Sequence, residues 1–436
     1  MGKENWIRAV LLVGSLGCIN PAVGQSTLTL SEAIAIAQSE DPWLQGSRYR
    51  EEAVLAQSEF SLTLPDPIVS LGLMNMPVDN FDFGREPMTQ INLNVSQIFP
   101  RGETRDLQSL RLRELGEQYP AMRRDRMAAL VQAVTSAWLE VYRGQQMLEL
   151  VEADLKFFEH LLEIAESRYR NTATNILQQD LLKGRVEVSK TKDRLEVIRQ
   201  QLSVNEASLH EWLPNLEVPR IDLDDVVTTL NLETLLTALK NPDFLSQRLL
   251  AHPRIKVLDQ QIAAAQVDVQ LAEQKYQPQW GLNASYGYRD DDPFGNNRSD
   301  FFSLGVSFDV PLFTAKRQDR EVDAALSTAS AVGTEKILAL RSMRASLEAS
   351  YVKLQGFDQR LAVYTDHLLP ETKHQSRASL SAYAADEGDF EQVLRSRVIE
   401  LGANTDFLNI TVDRLRAISE MRYLLGFSNE AHTGGQ

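Results

Sequence analysis

The chain is written twice. Pro42 and Pro253 lie 211 positions apart, as do Pro100 and Pro311; Pro65 and Pro278 lie 213 apart, and the junctions Leu213-Pro214 and Leu425-Gly426 lie 212 apart. A near-constant offset along 436 residues is an internal duplication. One supersecondary unit must therefore form twice and pack against its own copy.

The helical part of each repeat carries heptads. Met127, Val134, Val141, Leu148, Leu155, Leu162 and Tyr169 recur every seven residues in the first repeat, and Leu340, Leu347, Leu354, Leu361 and Leu368 in the second. Val134 and Leu347 stand 213 apart, so the seams are in phase across the duplication. Two more seams follow, Leu181 to Leu209 and Leu394 to Leu415. Apolar residues at this spacing wind helices into coiled coils.

Each repeat thus reads as a shorter helix, two strands, a very long helix, a tip and a returning helix. These fall at 31–64, 68–76, 89–99, 103–169 and 178–212 in the first repeat, and at 253–276, 279–289, 301–310, 316–383 and 390–425 in the second. Thr29 or Ser31, with Glu32, caps the first helix, and Pro120 and Pro370 mark bends rather than ends. At about 1.5 Å per residue the longest helix reaches on the order of 100 Å.

The strands alternate strictly. In Phe301 to Val310, Phe302, Leu304, Val306, Phe308 and Val310 oppose Ser303, Gly305, Ser307 and Asp309. The same two faces recur in Trp280 to Tyr288, Ile91 to Ser96 and Val69 to Met74. Such a strand needs an apolar medium on one side and a wet one on the other. Strands of about ten residues cross a bilayer at a barrel tilt. Four of them cannot close a barrel without leaving open edges in lipid, so several chains must share one.

The formal charge of -15 argues against nucleic acid as a partner, because phosphate binding needs a basic patch. The N-terminus has Lys3 and Arg8, an apolar run from Ala9 to Leu16, and small residues at Ala22 and Gly24. This is the layout of a secretory signal peptide. Cys18, the only cysteine, lies inside it. With Ser15 where a lipidation signal has Leu, Cys18 is expected to leave with the peptide rather than carry a lipid. The expected division is a signal peptide over 1–24, a first repeat over 25–213, a linker over 214–245, a second repeat over 246–427 and a disordered tail over 428–436.

Taken together, the duplicated order, Ile98-Phe-Pro100, Val310-Pro-Leu-Phe313, the tip Arg168 to Thr174 followed by Asp180-Leu-Leu, and the second tip Tyr383 to Phe390 resemble the TolC-type outer membrane factor family. The resemblance covers nearly all of the mature chain. It implies a mainly α fold with a β-barrel: a homotrimer whose twelve strands form one outer-membrane barrel, continued by a long α-helical barrel through the periplasm. The implied partners are a periplasmic adaptor and an inner-membrane pump, of the RND type in that family's heavy-metal branch, in a Gram-negative cell. No cofactor is implied.

In that family the helix-hairpin tips close the tunnel. The corresponding positions here are Tyr169, Asp180, Tyr383, Asp386, Glu387 and Asp389. Three copies of the last three acids would ring one axis with carboxylates that attract cations and repel one another. Gly388 stands where some relatives have a basic gating residue, and the first tip is longer by about two residues, so the resemblance does not carry an inter-tip salt bridge over to this chain.

The segment Leu64 to Phe81 with Glu86 to Gln90 looks like the heavy-metal efflux branch, which makes copper, silver or divalent cations the expected cargo. Met74, Met76 and Met88 are soft ligands suited to Cu(I) or Ag(I), although such residues more often fill a rim. Drugs and polypeptides are alternative cargoes. No phosphate loop, nucleophile elbow or HExxH occurs and the six histidines are scattered, so no enzyme is expected. A periplasmic structural or adaptor coiled coil would share the heptads but would not need two-faced strands.

Overall fold

The computed structural model describes residues 28–170, 178–214, 217–230, 235 and 241–427. The signal peptide with Cys18, residues 171–177 of the first tip and the tail from 428 lie outside the described residues.

Helix α1 (Leu30–Glu40) starts with a capping box: the Thr29 hydroxyl accepts the Glu32 N–H at 3.2 Å, and the Glu32 carboxylate accepts the Thr29 N–H at 2.9 Å. A single helix was expected over 31–64, but Asp41 and Pro42 divide it. Asp41 caps α2 (Pro42–Ser61), because proline suits a first turn and disfavours helix in the residue before it. Strands β1 (Ile68–Met74) and β2 (Gln90–Phe99) follow, then α3 (Thr104–Arg170) and its return α4 (Gln178–Leu209).

The second repeat is entered through α5 (Leu223–Leu230) and α6 (Pro242–Ala251), continues with α7 (Pro253–Glu273), β3 (Trp280–Tyr288), β4 (Phe301–Phe308) and α8 (Gln318–Val363), and ends with α9 (Leu369–Ala384) and α10 (Phe390–Leu424). Pro120 lies inside an uninterrupted α3. Before Pro370 the helix widens into a π turn over Tyr364–Leu368, which absorbs the hydrogen bond that proline cannot donate.

The strands form one antiparallel sheet in the order β1-β2-β3-β4. Its register aligns the two faces. Val69, Val95, Ala284 and Leu304 stand in one row, and Leu71, Leu93, Tyr286 and Phe302 in another on the same face. Ser70, Asn94, Ser285 and Ser303 form a row on the opposite face. Among the described residues nothing covers the apolar face, and β1 is exposed along its whole length.

The predicted seams are buried at Val134, Val141, Leu195, Leu347, Leu354, Leu401 and Leu408. Between them, midway along the long helices, Val226 and Leu230 of α5, with Ile221 before it and Leu235 after it, insert into the main core. The linker lacks a heptad seam yet carries a buried helix, which heptad counting could not reveal.

The duplication is visible here in side chains. Asp41 Oδ1 accepts the Trp43 N–H at 3.1 Å and His252 Nδ1 accepts the Arg254 N–H at 3.2 Å, so two residues 211 apart cap equivalent helices with different chemistry. Asp41 is bound by Arg126 at 2.8 Å, and that guanidinium lies 5.4 Å from the Trp212 ring. In the second repeat, the Tyr423 carbonyl lies 3.0 Å from His252 Nε2, and the Tyr423 hydroxyl donates to Asp125 at 3.2 Å. With Nδ1 accepting, Nε2 carries the proton, and the buried imidazole is neutral. Burial holds its pKa below the ordinary value despite the Tyr423 carbonyl and Asp125, and burial beside Asp125 pushes the Tyr423 phenol up to about 12.

Candidate functional site at the hairpin tips

The end of the molecule far from the sheet is built by α3 with α4 and by α9 with α10. Phe158, Leu161 and Ala165 of α3 pack with Leu181 and Val188 of α4 and with Tyr383, Phe390 and Val393 of the second hairpin. Gly184 permits this approach: a Cβ there would meet Leu162 and Phe390, each at 3.0 Å. Tyr383 and Phe390 meet edge to face with ring centroids 5.9 Å apart, a favourable arrangement of aromatic quadrupoles.

The second tip turns in five residues. Glu387 N–H donates to the Ala382 carbonyl at 2.9 Å and Asp386 N–H to the Tyr383 carbonyl at 3.3 Å. This is a Schellman ending with Asp386 at the left-handed position, φ 60°, where glycine is usual. Gly388 is required two residues later for space. A Cβ there would lie 2.6 Å from the Tyr383 amide nitrogen and 2.9 Å from the Ala382 carbonyl carbon. That clash explains why no basic side chain stands at this position.

Arg168 supplies the cation instead, from the first hairpin. Its guanidinium donates to Asp386 Oδ1 at 2.9 Å and to the Tyr383 carbonyl at 3.1 Å, and lies 4.9 Å from the Tyr383 ring centroid. Lys183 of α4 donates to Glu391 of α10 at 2.6 Å. That bond raises the lysine pKa and lowers the carboxylate's. The two tips are therefore joined by two ion pairs, which the resemblance did not carry over to this chain. The physical reason is a change of donor: the cations come from the first hairpin and the anions from the second.

The predicted residues divide by role. Tyr383 is buried, with the Arg168 guanidinium beside it. Burial raises its pKa, with Arg168 opposing. Asp180 is buried in the first turn of α4, 3.8 Å from Lys183. Asp386 is exposed and paired with Arg168, Asp389 caps α10 through the Glu391 N–H, and Glu387 is exposed. Tyr169 is half exposed and outside the packed cluster. The three clustered acids thus serve different purposes. Arg168, Lys183 and Glu391 were not singled out from the sequence; the signal was the contrast between Arg168, Arg170, Lys183 and Arg185 flanking one tip and the acids of the other.

Above the tip, Asp154 of α3 is almost fully buried and accepts from Arg397 Nε at 2.6 Å. Arg397 also donates to Glu400 at 2.9 Å and covers the Phe157 ring at 4.8 Å. Burial pushes the Asp154 pKa up, against the pull of Arg397.

At the opposite end, Met74 is the last residue of β1, on the face of Ser70 and Gly72. Met76 lies beyond the strand, past Asn75 at φ 56°, so strand alternation does not fix its face. Met88 is exposed in the loop before β2. Among the described residues no three His, Cys, Asp or Glu side chains are grouped to hold a metal ion, and no helix is long and apolar enough to cross a membrane.

Residues 244–426 match the family model described as outer membrane efflux protein. The pyoverdine export outer membrane protein OpmQ of Pseudomonas aeruginosa is 24% identical over 302 residues, covering 68% of this chain. The match spans 61% of that relative's length. Among solved structures, CusC superposes with a TM-score of 0.73 at 15% identity, over 97% of this chain and 98% of CusC. The outer membrane protein VceC of Vibrio cholerae superposes with a TM-score of 0.71 at 15% identity, over 91% of this chain and 96% of VceC.

Proposed function

We infer from this chain's membership of the TolC-type outer membrane efflux protein family that it is the outer-membrane exit duct of a tripartite export system. The observation that carries this is the bare sheet: one face apolar, one face polar, and both outer strands unpaired along an edge. Three copies joined β4 to β1 give twelve strands with no free edge, the form in which strands can stand in lipid. The helices support the same assembly. Helix α4 exposes Leu182, Val186, Val197 and Val204 away from the seam it shares with α3, as a neighbouring subunit would require.

In this reading the polar face of the sheet lines a water-filled exit and the helices carry the passage through the periplasm. The tip joined by Arg168 and Asp386 is its gate, which an adaptor and an inner-membrane pump engage. The protein conducts passively and catalyses nothing.

Two cargoes have support. Heavy-metal cations follow from the resemblance of the Leu64 to Phe81 segment and from Met74 at the outer rim. A small organic molecule is favoured by the similarity to a protein named for pyoverdine export. Deletion of the gene followed by measurement of copper and silver tolerance and of secreted siderophore separates the two. The duct itself is tested by expressing the full chain, isolating outer membranes, and comparing electrophoretic mobility before and after boiling. A heat-labile trimer in that fraction supports the duct; a monomer in the soluble periplasmic fraction refutes it.

A further inference from the structure

The polar face of the sheet is uncharged along the strands. From Ile68 and Met74 on β1 to Phe301 and Ser307 on β4 it carries Ser, Asn, Gly, Gln, Met, Ile and Phe. Charge enters only at its two ends. At the periplasmic end Asp309 is paired with Arg101. At the outer end Arg289 follows Tyr288 and has no ion-pair partner among the described residues.

Arg289 is held on the polar face. Phe301 pairs directly with Gly287, in one row with Asn92 and Gly72, and the Arg289 guanidinium lies 3.7 Å from the Phe301 ring centroid. Every hydrogen bond the guanidinium makes goes to a neutral carbonyl: Nε donates to Ser299 O at 2.8 Å, Nη2 to the same oxygen, and Nη1 to Pro87 O at 3.1 Å. Its charge is fixed in place but not cancelled by a contact.

Among the described residues no carboxylate forms an ion pair with this guanidinium. Asp300 is the nearest: one oxygen accepts the Tyr286 hydroxyl and the other the Arg289 backbone N–H at 3.0 Å, so it bonds the main chain of Arg289 and not its guanidinium. Asp292 folds back onto Asn296 at 2.7 Å, Asp290 accepts the Asp291 N–H at 3.0 Å, and Asp79 pairs with Arg85 at 3.0 Å. A closed barrel of twelve strands about 4.8 Å apart and tilted about 40° has a backbone radius of about 12 Å. An inward guanidinium therefore lies within about one Debye length, ~8 Å at physiological salt, of the axis.

We propose that Arg289 determines charge selectivity at the outer mouth: three copies ring the exit with guanidinium groups that favour anionic small molecules, such as carboxylate-bearing chelators, over bare metal cations. This rests on the duct reading and assigns a cargo class to it. Arginine fits the role because its fork can hold several carbonyls while its face stacks on Phe301.

The test is block of single channels by inositol hexakisphosphate. Full-length protein in planar bilayers at about 0.1 M KCl receives the polyanion on each side in turn. We expect one-sided block of the wild-type pore, weakened at least tenfold in Arg289→Gln, kept within threefold in Arg289→Lys, and abolished at about 1 M KCl, where the Debye length is about 3 Å. Equal block of Arg289→Gln, or a wild-type pore indifferent to the polyanion, overturns the inference and leaves the duct standing. Inserted wild-type protein that forms no pore overturns both. Should Arg289→Gln fail to insert, the Arg289→Lys pore and the salt dependence of wild-type block still decide.

Discussion

Arg168 and Asp386, 218 residues apart and on different hairpins, are joined at 2.9 Å across the tip of one chain. Exposed pairs of this kind contribute at most about 1 kcal/mol to stability. The proposed gate needs no more, since a small free energy suffices to bias two nearly balanced arrangements. Arg168→Ala is therefore expected to leave the thermal midpoint within about 2 °C of wild type while raising single-channel conductance several-fold. The exchange Arg168→Asp with Asp386→Arg should restore the low conductance, and a doubly exchanged pore as open as the single variant would remove this pair from the gate.

The turn beside that pair makes a separate demand. Gly388→Ala forces a Cβ against the Tyr383 and Ala382 backbone and should loosen the second tip by about 2 kcal/mol or more, since backbone cannot move aside as a side chain can. Asp386→Gly relieves the left-handed residue by about 1 kcal/mol but removes the partner of Arg168. Hydrogen exchange at 384–390 should therefore quicken in the first variant. In Asp386→Gly the turn should stay protected while conductance rises.

His252 gives the equatorial core a pH dependence of known sign. Unfolded histidine titrates near 6.5, and the native imidazole titrates lower because it is buried near Arg248 and Arg254, with only the Tyr423 carbonyl and Asp125 opposing. Between these values the unfolded chain binds a proton that the native one does not. Stability from this group is constant above about pH 6.5 and falls as the pH drops through it, by at most about 1.4 kcal/mol per unit, levelling off below the native pKa. His252→Asn keeps a capping acceptor and should flatten that part of the curve in thermal unfolding between pH 5 and 8.

Arg397→Met leaves Asp154 buried without its cation, a change that costs about 3 kcal/mol in comparable settings. The loss should shrink on acidification, because the isolated carboxylate would take up a proton. Arg397→Met combined with Asp154→Asn should be less destabilised than the sum of the two single variants, as a thermal double-mutant cycle would reveal.

Much of this was legible in the sequence because the signals were periodic. Heptads place Val134, Leu347 and Leu408 in the core, and strict alternation sorts Val69 from Ser70 before any register is known. What escaped was local or long-range. Asp41 with Pro42 ends a helix by capping chemistry that periodicity ignores, and the core role of Val226 and Leu230 follows from tertiary placement of a short segment. The tip acids were visible as a cluster, but their division into an ion pair, a cap and an exposed residue depends on where Arg168 arrives from the other hairpin. His252 gave no sequence signal beyond its position 211 residues after Asp41.

One rod, α3, runs for 67 residues from the foot of the sheet to the tip. Each residue added to such a rod turns everything beyond it by about 100° and advances it by about 1.5 Å. A single insertion would point Arg168 away from Asp386 and turn the buried seam toward solvent. Seven residues, by contrast, advance the tip by about 10 Å and rotate it by only about 20°. The depth of compartment this protein can span is therefore quantised. It can change in whole heptads, and only if α4, the α8 to α9 run and α10 change by the same number, so that all the helices lengthen together.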